Sequence, residues 1–146
     1  MRGARVIDRE PECVLGCVDN QLRSELQAFW RQHQEPFQAE LKSFRALHAG
    51  SAALFSQPKR PLSRHPAVIF RDETGSIIGI VFVALREIDP SLNLGTHAYF
   101  QRMYIVPGSR CCKLANRLFR LFLYEFDKAA SNRSGVGTAQ RELCPC

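Results

Sequence analysis

The run Met103-Tyr104-Ile105-Val106-Pro107-Gly108-Ser109-Arg110-Cys111-Cys112-Lys113-Leu114-Ala115 holds the residues whose types and spacing could do chemistry. An apolar stretch ends at Pro107, a short turn follows, and an amphipathic helix opens with Lys113 and Arg117 close to its start. A strand, a turn and a helix joined in this way point unsatisfied backbone N–H groups at whatever lies above the helix end. With Arg110 and Lys113 beside them, these donors suit a phosphorylated ligand. Cys111 and Cys112 sit at the same helix end, where the dipole lowers a thiol's pKa and favours nucleophilic chemistry. No histidine lies close in sequence to serve as base, so the thiol reading ranks behind the phosphate-binding one.

The remaining cysteines and histidines suggest no second chemistry. Cysteines at 13, 17, 111, 112, 144 and 146 lack paired Cys-x-x-Cys spacing and read as free thiols of a reducing compartment. His33, His48, His65 and His97 share no ligand spacing, so no metal is expected. Gly135-x-Gly137 follows no strand and opens no helix, which argues against a nucleotide loop.

The elements that must position the central run follow from hydrophobic periodicity. Ala4 to Asp8 reads as a short first strand. Asp19 or Asn20 can cap a helix in which Leu22, Leu26, Phe29 and Trp30 recur at helical spacing as far as about His33. Pro36 suits the first turn of a second helix, with Phe37, Leu41, Phe44 and Leu47 on one stripe and a stop at Gly50. Ser56 to Pro66, with Lys59, Arg60, Arg64 and His65, reads as an exposed basic loop. Ala67 to Arg71 and Ile77 to Leu85 form a hairpin through Asp72 to Ser76, and Ala98 to Val106 adds a third strand to the meander. The second hairpin strand is apolar enough to be buried on both faces. In the following helix Leu114, Leu118, Phe122 and Phe126 share a stripe, flanked by Ala115, Phe119 and Leu123, with Lys113, Arg117, Arg120, Tyr124 and Lys128 opposite. Beyond Ala130 the chain becomes polar and Gly-rich. The expected organisation is one domain over 1–130 and a flexible tail over 131–146.

Composition sets outer bounds. The 146 residues suit a single core, and 45% hydrophobic with 23% charged residues is ordinary for a globular chain. No apolar run approaches a membrane span, and Asp8 to Pro11 stand where a signal peptide needs its apolar stretch, so the expected compartment is the cytoplasm. A net charge of +6 favours anionic ligands without choosing among them.

Met103-x-Ile105-x-Pro107-x-x-Arg110-x-x-Lys113-x-Ala115 resembles the acyl-CoA pyrophosphate signature of the GNAT-type N-acetyltransferases. Lys113 stands where that family usually has a glycine. The resemblance covers roughly residues 4 to 130 and implies an α/β (α+β) fold: a mixed, mainly antiparallel sheet with two N-terminal helices and one helix after the motif strand. It also implies that the C-terminal part of that fold is missing, which leaves the motif strand as an open edge prone to self-association.

Carried over by residue, the resemblance implies an acyltransferase moving an acetyl group from acetyl-CoA, the co-substrate, to a small-molecule or peptide amine. Backbone of Cys111, Cys112, Lys113, Leu114 and Ala115, with Arg110, would hold the pyrophosphate. Met103, Ile105 and Val106 would pair with the pantetheine arm. Glu87 is the nearest acidic candidate for deprotonating the amine, and Tyr104 a candidate donor to the departing thiolate. The alternative is a non-catalytic basic module for nucleic acid or a protein partner, built on Lys59 to His65 and the basic side of the last helix. Its weakness is that the aromatics fall on apolar stripes rather than among the cations.

Overall fold

A computed structural model describes residues 9–47 and 63–134. Within them lie four strands, β1 (Glu12–Cys13), β2 (Ser63–Arg71), β3 (Ile77–Glu87) and β4 (His97–Ile105), and two α-helices, α1 (Asn20–Leu47) and α2 (Cys112–Ser134). The sheet order is β1-β2-β3-β4, and every neighbouring pair is antiparallel. Among the described residues the architecture is therefore α+β around an antiparallel four-stranded sheet. The first-strand expectation at Ala4 to Asp8 lies outside the described residues, as do Lys59 and Arg60.

Asp19 caps α1, its Oδ1 accepting from the Leu22 N–H at 2.7 Å. In place of two helices, one runs unbroken through Pro36. Proline removes one N–H donor and favours a helix start, but burial decides otherwise. Leu22, Leu26, Phe29 and Phe37 stay in phase across the proline, and all four are buried against the sheet. Breaking the helix would pull Phe37 out of register with that core.

β2 begins at Ser63, so Arg64 to Pro66 belong to a strand where a loop was expected. Pro66 is tolerated because the pairing with β3 shifts register between Pro66 and Val68, where a missing donor disturbs the ladder least. The hairpin is pinned by Asp72, whose Oδ1 accepts from the N–H groups of Thr74 (2.9 Å) and Ser76 (3.0 Å), and by Gly75 at φ +87°.

The strands' alternation sends side chains to two cores. Ile69, Ile80, Phe82 and Tyr104 face α1 and meet Leu22, Leu26, Phe29 and Phe37. Val68, Phe70, Val81, Val83 and Ile105 face α2 and meet Leu114, Leu118 and Phe122. β3 is thus covered on both sides, as its continuous apolar run requires. Each fully buried side chain of this kind contributes about 1.5 to 3 kcal/mol. α2 runs to Ser134, past the end expected near Ala130.

At 100° per residue, Arg117 and Leu121 lean from α2 toward β2, while Ala115, Phe119 and Phe126 lean toward β4. The contacts agree: the Arg117 guanidinium lies over the Phe70 ring, and Phe126 packs edge-on against Tyr99. Phe119 and Leu123 were expected beside the buried stripe, yet they are 41% and 49% exposed. The apolar stripe of α2 is therefore wider than the sheet beneath it and overhangs β4.

Candidate functional site

The overhang matters because β4 is the last strand of the sheet among the described residues. Val106 donates to the Ile78 carbonyl at 2.9 Å and Ile88 to the Thr96 carbonyl at 3.0 Å, so the even-numbered residues of β4 bond inward to β3. The N–H and C=O groups of Tyr99, Gln101 and Met103, and the N–H of Ile105, then point away from the sheet. This is an open edge, roofed on one face by α2.

The edge leads directly into the helix end. Val106 is followed by a 3-10 turn, Pro107–Ser109, and Cys111 precedes the first residue of α2. The Ala115 N–H bonds the Cys111 carbonyl at 3.2 Å, and the Leu114 N–H approaches Cys111 Sγ at 3.4 Å. Among the described residues, the N–H groups of Cys111, Cys112 and Lys113 find no protein acceptor, so three of the five expected phosphate donors keep their N–H groups. Lys113 is exposed beside them.

Arg110 is more constrained than its sequence position suggests. Its Nε donates to the Ile105 carbonyl at 2.8 Å, its Nη2 pairs with Glu40 of α1, and the guanidinium sits 5.7 Å from the centre of the Tyr104 ring. The same group therefore ties the turn to the strand, to α1 and to a buried aromatic. Any ligand using the charge of Arg110 shares it with Glu40.

Tyr104 is 2% exposed within an aromatic cluster of Phe29, Trp30, His33 and Phe37. Its hydroxyl lies 3.4 Å from His33 Nδ1, a long contact. Burial pushes the Tyr104 phenol up, and the negative charge of Glu40 adds to this against the opposing influence of Arg110. It stays protonated at neutral pH.

Glu87 lies elsewhere. Ile80 is the β3 residue opposite Tyr104, while Glu87 pairs with His97 at the far end of the ladder. The strand between them spans roughly 23 Å at about 3.3 Å per residue, so the two candidates do not share a site. The acidic and imidazole groups that do stand near Tyr104 are Glu40 and His33, both missed from the sequence. Had α1 been read as one helix, Phe29, His33, Phe37 and Glu40 would have fallen together at helical spacing.

On the outer side of α2, Tyr124 is 65% exposed and lies one turn from both Arg120 and Lys128. Tyr124 thus stands among the cations, as its place opposite the apolar stripe implies. Among the described residues no group of three or more His, Cys, Asp or Glu side chains could hold a metal ion, and no helix is long and apolar enough to cross a membrane. Cys13, Cys17, Cys111 and Cys112 are free thiols. No known protein family, curated protein or solved structure matches this chain.

Proposed function

We propose that the chain binds acyl-CoA along β4 and the start of α2 and acts as an N-acetyltransferase of the GNAT type. The observation that carries the reading is the continuity between two donor sets. Outward amides of Met103 and Ile105 run into the outward N–H groups of Cys111, Cys112 and Lys113, an arrangement that fits an extended amide-bearing arm ending in a diphosphate. The helix dipole and Lys113 favour the phosphates.

In the proposed reaction the neutral amine attacks the thioester carbonyl, the C–S bond breaks, and the amine's proton passes to the departing sulfur. An edge N–H at Ile105 stabilises the oxyanion. Tyr104, held protonated by burial, is the donor candidate. His33 and Glu40 replace Glu87 as candidates for accepting the amine's proton, because they stand at the same end of β4. The test is thiol release from acetyl-CoA by the intact chain with a panel of primary amines. Amine-dependent release that falls in His33→Ala and persists in Glu87→Gln is expected; no release from a folded sample contradicts the transferase reading.

The exposed Tyr124 among cations favours a second reading, a nucleic-acid surface on α2. That reading requires oligonucleotide affinity that falls steeply with salt and is lost in Arg120→Gln/Lys128→Gln.

A further inference from the structure

A concavity whose lining does not include Arg110, Glu40 or His33 lies along α1. It is a cleft of about 800 Å³ between α1, the N-terminal half of β2 and the segment after β1. Its floor is apolar and aromatic, formed mainly by Leu26, Trp30 and Phe37 of α1 with Ile80 and Phe82 of β3. Its rim carries Arg23 and Arg31 on α1 and Arg64 facing them from β2, interspersed with Gln27, Gln34 and Gln38. Among the described residues no aspartate or glutamate lines it. The size falls within the range of small-molecule sites, roughly 300 to 1,000 Å³.

Floor and rim ask for different things of a ligand. The aromatic floor rewards burial of an alkyl or aryl body, whereas a rim of guanidinium and amide donors with no carboxylate rewards an anionic head and repels a cation. The bulge at Pro66 and Val68 keeps Arg64 on the cleft wall: Arg64 and Pro66 lie opposite Ala84 and Phe82, on the α1 side of the sheet. From this juxtaposition we infer that the cleft binds a small amphipathic carboxylate, its chain on Trp30 and its head between Arg31 and Arg64. The site is separate from the β4 edge and does not depend on the acyl-CoA reading.

The chain contains one tryptophan, and it lines this cleft, so its emission reports occupancy directly. The experiment titrates the intact chain with decanoate, and separately with decylammonium, both below their micellar concentrations. Decanoate should change Trp30 emission saturably, and decylammonium should not. Arg31→Gln/Arg64→Gln should weaken decanoate at least fivefold with an unchanged circular-dichroism spectrum, since both side chains are exposed. Lys128→Gln should leave it unchanged. Equal binding of the cation, undiminished binding by the double variant, or no saturable change in wild type would each overturn the inference.

Discussion

Arg110 joins three parts of the molecule, and removing its guanidinium should show how much of the candidate site's shape depends on one side chain. In Arg110→Gln the bond to the Ile105 carbonyl is lost. A charged hydrogen bond contributes about 1.5 to 3 kcal/mol, and the low end applies because that carbonyl lies at a sheet edge and regains water. The pair with Glu40 is worth less than about 1 kcal/mol, since the two side chains are 43% and 45% exposed and solvent screens them. The contact with the Tyr104 ring adds about 0.5 kcal/mol. The expected loss is about 2.5 kcal/mol for Arg110→Gln and about 0.5 kcal/mol for Glu40→Gln, with a coupling of about 0.5 kcal/mol in the double-mutant cycle. Urea unfolding monitored by Trp30 fluorescence measures all four corners. A neutral Arg110→Gln, or a Glu40→Gln loss as large as that of Arg110→Gln, would refute the assignment of the carbonyl bond as the dominant contact.

Three further outcomes follow from the same geometry. Gln101→Pro should cost less than about 1 kcal/mol because the N–H it removes points off the sheet, whereas Arg102→Pro, which removes an inward donor, should cost about 3 kcal/mol or more by denaturant unfolding. Gly75→Ala should destabilise by about 1 kcal/mol through the positive φ alone, since nothing lies within 4 Å of the added Cβ. Hydrogen bonding from Arg71, 2.6 Å away, holds the Glu25 carboxyl below its ordinary value. A depressed carboxylate pKa stabilises the fold above the ordinary carboxylate range and loses that contribution as pH falls through the folded-state pKa. Glu25→Gln should therefore cost about 1 kcal/mol at pH 7 and converge on wild type in acid, as judged by unfolding curves across pH.

The hairpin and the strand feeding the motif were legible because their signals are local: an Asp-to-Ser turn between apolar runs, and a buried strand long enough to be unmistakable. The motif's strand, turn and helix were legible for the same reason. The unbroken α1 was not, because Pro36 is a strong local signal and the burial of Phe37 that overrides it is a tertiary fact. That error hid Glu40 and His33, which reach the site only from a continuous helix. Glu87 was chosen by nearness in sequence to the motif strand, but an antiparallel pair places the end of one strand beside the start of the next, far from Tyr104. The exposure of Phe119 and Leu123 could not be read from periodicity, since it depends on how many strands lie beneath α2.

If β4 and the start of α2 together hold CoA, calorimetry with CoA on the folded chain will register it. Measurable binding at millimolar ligand is expected. Met103→Pro should weaken it, because that change removes one outward amide and leaves the ladder to β3 intact. Lys113→Glu should abolish it, because a carboxylate at the helix start suits the dipole but repels the diphosphate. No heat with wild type, or heat unchanged in both variants, would contradict this site.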